Sequence, residues 1–286
     1  MRNIVAIIQA RMDSSRLPGK VMQEIAGRPM LAWVVERTRQ AKLVDQVVVA
    51  TTLSAADDPV FEFCKQADIR CGRGSEQDVL DRYYQVARHF KATVVIRITA
   101  DCPLLDPVLI DQAVQLLLSQ TGSLPLRSRL GAARFDFVTN RLPPPWGRTY
   151  PIGLDVEVFT WDALQQAWKR SVSQYQREHV TPYMYEGTPT EQLKYAVKGS
   201  AYSSAMTPEG LHIALLHHEP DYGHLRWTVD TPEDLELVRQ VVQRLPDQTE
   251  FGWYDIVKIL EQEPALKAIN LQVRHKTQFD VDERAV

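Results

Sequence analysis

The chain has 286 residues, long enough to bury a sizeable core as one large α/β unit. Its 33 lysines and arginines nearly balance 36 aspartates and glutamates, and the formal charge of −3 is interspersed instead of blocked, which argues against a nucleic-acid or membrane-surface binder. Three cysteines, Cys64, Cys71 and Cys102, lack disulfide or metal-type spacing, no apolar run reaches the ~20 residues of a membrane span, and the N-terminus opens without a signal-peptide pattern; the expectation is a cytoplasmic protein with reduced thiols.

In chain order, the first half alternates strand and helix. "IVAIIQA" (4–10), "VDQVVVATT" (44–52) and "TVVIRITA" (93–100) are β-branched apolar runs and predict strands buried on both faces of a parallel sheet. Between them, Pro29 is expected at the first helical position of "PMLAWVVERTRQ", with Leu31, Val34, Val35 and Thr38 on one face, and "PVFEFCKQA" predicts a second helix. Ser75 and Asp78 resemble a capping box opening "EQDVLDRYYQVARHF", and "DPVLIDQAVQLLLSQ" predicts another amphipathic helix. Strand alternating with helix is the pattern of a doubly wound sheet with helices on both faces.

After about residue 120 the regularity fades. "SLPLRSRLGAARF" and "RLPPPWGRTYPIG" read as long loops beside short strands "FDFVT" and "LDVEVF", and could form a lid or a partner contact. Helices are expected in "WDALQQAWKRS" and around "QREHVTPYMYEG", a strand in "QLKYAVK", a late strand in "LRWTV", then helices in "PEDLELVRQVVQRL" and "WYDIVKILEQE". This divides the chain into a single domain over 1–270 with an insert at about 120–225, and a tail over 271–286 without apolar period.

Ligands of open α/β sheets bind at the carboxyl ends of strands, where loops meet helix N-termini. "ARMDSSRLPGKV" lies at such an end and carries Arg11, Arg16 and Lys20 among turn residues, a composition suited to a polyphosphate, although a solvated basic connection would look the same. It is neither a Walker loop nor a dinucleotide fingerprint. "RITADCPLLDP" ends a run in Asp101 and "LRWTVDTPEDLELV" ends another in Asp230, positions from which carboxylates can hold Mg²⁺. Asp230 also fits a plain helix start, with Thr231 as cap and Pro232 in the first turn. Asp155 and Glu157, two apart on an expected strand, share a face and could bind sugar hydroxyls or assist a metal. His217, His218 and His224 lack metal spacing and receive no role.

The stretch "QARMDSSRLPGKVMQEIAGRPML" resembles the N-terminal signature of cytidylyltransferases that activate acidic sugars, of the CMP-Kdo synthetase and acylneuraminate type, and is most similar to the SpsF-like branch. The resemblance implies an α/β, nucleotide-diphospho-sugar transferase-like (Rossmann-like) fold with an inserted lid or dimer arm, CTP as co-substrate, Mg²⁺ as cofactor, a small acidic sugar as acceptor and a homodimer. It places Ala10, Arg11, Ser15, Arg16 and Lys20 at the CTP, with Lys20 and Arg11 catalytic, and Arg73, Ser75 and Asp78 of "GRGSEQD" at the base and ribose. It makes Asp101 and Asp230 the metal ligands, Asp101 also catalytic, and it makes Arg148, Tyr150, Gly153, Asp155, Glu157 and His179 acceptor contacts. Cys102 stands where the Kdo enzymes carry a glutamate after the aspartate. Two other classes remain open at this level: a glycosyltransferase using Asp155-Val156-Glu157 as its metal motif, and a non-catalytic nucleotide-binding protein.

Overall fold

The structure, a computed structural model, describes residues 2–119, 135–194 and 200–274. The three β-branched runs become β1 (Ile4–Gln9), β4 (Gln46–Thr52) and β6 (Val94–Thr99); a hairpin of two-residue strands, β2 (Glu24–Ile25) with β3 (Arg28–Pro29), precedes α1 (Met30–Arg39). Leu31, Val34, Val35 and Thr38 are buried as their spacing predicts, but Pro29 caps α1 from outside instead of starting it. There follow β4 (Gln46–Thr52), α2 (Asp58–Gln66), β5 (Arg70–Gly74), α3 (Val79–His89), β6 (Val94–Thr99) and α4 (Pro107–Leu118). β1 pairs in parallel with β4 and β6, and β4 with β5.

The second half supplies β7 (Phe137–Thr139), β8 (Glu157–Thr160), α5 (Trp161–Arg170), α6 (Gln174–His179), α7 (Pro182–Tyr185), α8 (Thr190–Leu193), β9 (Tyr202–Met206), β10 (His212–Leu216), α9 (Pro232–Arg244) and α10 (Trp253–Gln262). All but β2 and β3 join one sheet in the order β5-β4-β1-β6-β8-β7-β10-β9, in which β8 and β9 run opposite to the rest. The described part of the segment expected as an insert thus contributes four of the eight strands.

Alternation along β1 assigns the two cores: Ile4, Ala6 and Ile8 pack with α1, α4, α9 and α10 on one face, while Val5 and Ile7 pack with α3, α5 and α7 on the other. Burial on both faces is the reason these strands read as unbroken apolar runs. No described helix is long and apolar enough to cross a membrane.

At further points the structure departs from the sequence reading or leaves it undecided. The helix after Ser75 begins three residues later than a Ser75 cap would set it: Asp78 is the N-cap, accepting from the Asp81 N–H, while Ser75 only accepts from the Asp78 N–H in the preceding turn. "LRWTV" forms no sheet strand; it is extended backbone with a single bridge, Ile152 to Arg226. Of "QLKYAVK", Gln192 and Leu193 close α8, and 195–198 lie outside the described residues. The edge strands β5 and β9, and β10 between β7 and β9, were not expected, because "RCGRG" and "YSSAM" lack an apolar run and "HIALL" is short. The loop at 123–134 and the tail beyond 274 also lie outside the described residues.

Candidate active site

β1 delivers the chain into the basic loop at its carboxyl end. Buried Ala10 donates its N–H to the Ala50 carbonyl (3.1 Å), and the loop is then held by Asp57, which accepts from the Met12 N–H (2.6 Å) and from the Thr52 hydroxyl. Gly19, at φ +70°, turns in the left-handed region and donates to the Met12 carbonyl (2.8 Å), closing the loop on itself. Lys20 therefore enters the site from a fixed corner and is buried.

The Lys20 ammonium is saturated. Its Nζ donates to Asp101 Oδ2, Asp230 Oδ1 and the Val229 carbonyl, each at 2.8 Å. Burial alone would lower its pKa, but Asp101 and Asp230 more than reverse that, and the group stands above its ordinary value. Burial likewise opposes the charge of Asp230; Lys20, Arg16 (3.0 Å) and Arg226 (2.7 Å) outweigh it and hold the carboxyl well below the usual carboxylate range.

Residues 225–230 reach this point without belonging to the sheet. Leu225, Trp227 and Val229 are buried in the larger core, the Trp227 N–H donates to the Ile152 carbonyl (2.7 Å) and the Val229 N–H to the Asp101 carbonyl (2.8 Å). The alternate residues Arg226, Thr228 and Asp230 face the other way, as extended backbone requires. Gly153 makes this approach possible: at φ +107° it lies so close that a Cβ there would be 2.5 Å from the Thr228 nitrogen. Arg226 also pairs with both oxygens of buried Asp234 (3.0 Å each), and Asn270 donates to Asp234 Oδ1 (2.9 Å), so Asp230 is positioned from behind. The α9 cap is Thr231, in a capping box with Asp234, which leaves the Asp230 side chain free of that duty.

Cys102 is buried beside Asp101, its thiol within 3.6 Å of Asp101 Oδ1 and near the Thr99 and Thr228 hydroxyls. Burial and the neighbouring carboxylates push the thiol well above its ordinary pKa, so it is a neutral donor to Asp101 and not a replacement acid.

A cavity of about 160 Å³ lies alongside, lined by Gln9, Ala10, Arg11, Val79, Arg82, Arg97, Glu178 and His179. Arg97 pairs with Glu157, and Arg82 donates to the Ser75 carbonyl (2.9 Å), yet the buried Nε of each has no hydrogen-bond partner among the described residues, nor has Gln9 Oε1. Burial, then Arg97, Arg141 and Arg11, bring the His179 pKa down to about 4. The wall is therefore positive even with His179 neutral.

Several expected contacts are engaged elsewhere. Arg73 holds the β4–α2 connection through the Thr52 and Ser54 carbonyls and Asp58. Asp78 caps α3 and ties it to α6 through Arg177 (2.6 and 2.9 Å). Arg148 and Asp155 pair with each other (2.6 Å), with Arg141 at 3.4 Å from Asp155, and Glu157 is buried between Arg97 and the Thr181 hydroxyl. Asp155 and Glu157 thus do not form a free acidic pair. Tyr150 packs edge-on against His218 and Trp253, and burial raises its pKa to about 12. Ser15 is exposed on the loop. Sequence reasoning missed Arg97, Arg177 and Arg226. A cation inside "VVIRIT" was a legible signal, since a buried charge needs a partner or a ligand; the partner of Arg226 was not legible.

No group of three or more metal-type side chains occurs among the described residues. What Asp101, Asp230 and the Val229 carbonyl do present around Lys20 is an all-oxygen donor set, which fits a hard divalent cation with phosphate or water completing its shell.

A mostly parallel eight-stranded sheet with this loop and these carboxylates at its carboxyl edge defines a nucleotidyltransferase with the nucleotide-diphospho-sugar transferase fold. The cytidylyltransferase family profile matches residues 5–244, and the chain belongs to that family. It is 34% identical over 280 residues, 98% of this chain and 99% of the relative, to the uncharacterized protein MJ1063 of Methanocaldococcus jannaschii. It is 28% identical to the spore coat polysaccharide biosynthesis protein SpsF of Bacillus subtilis, over 92% of this chain and 96% of that one. With 3-deoxy-manno-octulosonate cytidylyltransferase of Trichlorobacter lovleyi it shares 38% identity over 119 residues, 42% of this chain and 46% of that enzyme. The solved structure of a cytidylyltransferase from Leptospira borgpetersenii serovar Hardjo-bovis superposes with a TM-score of 0.76 at 28% identity, covering 97% of this chain and all of that one.

Proposed function

We propose that this enzyme transfers CMP from CTP to a small acidic sugar, releasing pyrophosphate, in the cytoplasm and for a surface polysaccharide. The observation that carries the reading is the convergence of Lys20, Asp101 and Asp230 at the end of the basic loop, with Arg16 on Asp230 and Arg11 of the same loop lining the neighbouring cavity. The acceptor hydroxyl oxygen attacks the α-phosphorus in line; the bond from that phosphorus to the bridging β-oxygen breaks, and the hydroxyl proton leaves to solvent. Lys20, Arg11 and Arg16 bind the triphosphate and stabilise the charge that builds on the leaving pyrophosphate. Mg²⁺, when held by Asp101 and Asp230, supplies neutralisation of phosphate oxygens and a lower pKa for the attacking hydroxyl.

Two observations support an acidic acceptor: the positive cavity at Arg11, Arg82 and Arg97, and the likeness to an enzyme whose substrate is 3-deoxy-manno-octulosonate. His179, neutral at physiological pH, is the acceptor contact in that wall. Arg148, Asp155 and Glu157 act through the charge network behind it. A glycosyltransferase using Asp155 and Glu157 as a shared metal motif is disfavoured, because the two carboxylates go to separate partners, Asp155 to Arg148 and Glu157 to Arg97, and the chain belongs to the cytidylyltransferase family.

Thermal shift with the four nucleoside triphosphates, then pyrophosphate release from CTP with a panel of acidic and neutral sugars, tests the reading. CTP is expected to stabilise the protein most, since a polar base site rejects analogues that leave its groups unpaired. Equal stabilisation by CTP, UTP and ATP, or turnover only with neutral sugars, would refute the corresponding half.

A further inference from the structure

We infer that the three oxygens around Lys20 Nζ are a cation cradle with two alternative occupants, the Lys20 ammonium and a divalent metal ion, so that metal entry is what frees Lys20 for the phosphates. The inference rests on the nucleotidyl-transfer reading above and concerns an order of events within that site.

The geometry points there because the two roles assigned to this corner are incompatible in the arrangement observed. A lysine that meets phosphate needs a free N–H, yet all three donors of Lys20 are used, on Asp101 Oδ2, Asp230 Oδ1 and the Val229 carbonyl. Two carboxylates that hold a metal need inward-facing oxygens, and the inward oxygens are the ones Lys20 occupies. The outward ones are committed: Asp230 Oδ2 to Arg16 and Arg226, Asp101 Oδ1 to the Cys102 thiol. An ammonium nitrogen sits 2.8 Å from each oxygen, whereas Mg²⁺ or Mn²⁺ prefers roughly 2.1 Å to the same atom type, so exchange requires only a small contraction about one centre. Both cations cannot occupy it together. Lys20 follows left-handed Gly19 at the end of the loop that carries Arg11 and Ser15, so a displaced ammonium remains tethered beside the other candidate phosphate ligands.

The test needs no acceptor sugar. Mn²⁺ binding is measured without nucleotide, by calorimetry and by the electron paramagnetic resonance signal of free Mn²⁺, on the full chain and on Lys20→Met. Lys20→Met is expected to bind Mn²⁺ at least about tenfold more tightly than the unaltered chain, because no internal cation competes, and Lys20→Met with Asp101→Asn is expected to lose that gain. If Lys20→Met does not fold in chelator, the same expectation is read by circular dichroism as folding restored by Mn²⁺. Affinity equal to or weaker than that of the unaltered chain, or a gain that survives Asp101→Asn, would overturn the cradle. CTP binding measured in parallel separates the two levels: CTP binding without a Mn²⁺ gain refutes the cradle alone, and a Mn²⁺ gain without CTP binding supports the cradle and refutes the nucleotide reading.

Discussion

Asp230→Asn separates a site carboxylate from a helix start. The replacement keeps the shape of the side chain and removes its charge, and α9 keeps its cap, because the capping oxygen belongs to Thr231. Three cations lose their common partner: Lys20 at 2.8 Å, Arg226 at 2.7 Å and Arg16 at 3.0 Å. A fully buried pair broken on one side costs about 3–5 kcal/mol and an exposed one under about 1 kcal/mol. For this side chain, 21% exposed, the intermediate figure is about 2 kcal/mol, a fall in Tm of about 3 °C for a chain of this size. The pH dependence fixes the cause. The folded-state carboxyl is held below its ordinary value, so the stabilisation is complete above the unfolded value near pH 4 and is lost as pH falls through the folded value. Urea unfolding of both proteins between pH 7 and pH 2.5 should therefore show a gap that is steady at pH 5–7 and narrows on acidification below about pH 4. Thr231→Ala should instead lose about 1 kcal/mol across that range, the cost of a cap. A gap under about 0.5 kcal/mol at pH 7, or one that persists undiminished at pH 2.5, would refute the assignment of Asp230 to this cation cluster.

Gly153→Ala forces a Cβ to within 2.5 Å of the Thr228 nitrogen at a φ that disfavours L residues; it should cost about 2–4 kcal/mol and weaken CTP stabilisation in thermal shift, and an unchanged melt would show that the 225–230 segment can move aside. His179 is neutral in the folded protein down to about pH 4, whereas the unfolded residue binds a proton near pH 6.5, so stability should fall as pH drops between these values. The slope, at most about 1.4 kcal/mol per pH unit, should shrink in His179→Gln; an equal slope in that variant would place the proton elsewhere. Lys20→Ala should lower kcat by about 10²–10³ with a smaller change in KM for CTP, since charge on the phosphate oxygens grows in the transition state. A change confined to KM would make Lys20 a uniform binding contact.

Much of the fold was legible because burial on both faces leaves a local trace: "IVAIIQ", "QVVVATT" and "VVIRIT" are apolar along their whole length, apart from Arg97, and the helices between them carry a 3.6-residue period. The basic loop was legible for the same reason, since turn residues and cations are local composition. Edge strands such as β5 and β9 were not, because their pairing rests on backbone hydrogen bonds to a partner distant in sequence and not on an apolar pattern of their own. "LRWTV" misled in the opposite sense: its alternation is real, but the alternation records burial against the core and says nothing about a ladder. Asp101 and Asp230 could be singled out from sequence, each at the end of an apolar run, yet their meeting on Lys20 depends on the register of β1 with β6 and on Gly153 admitting residues 227 and 228. Which arginine answers which acid was likewise decided only in three dimensions, because ion pairing is a matter of distance across the fold: Asp155 went to Arg148, Glu157 to Arg97, Asp78 to Arg177, and Asp230 stayed with the loop.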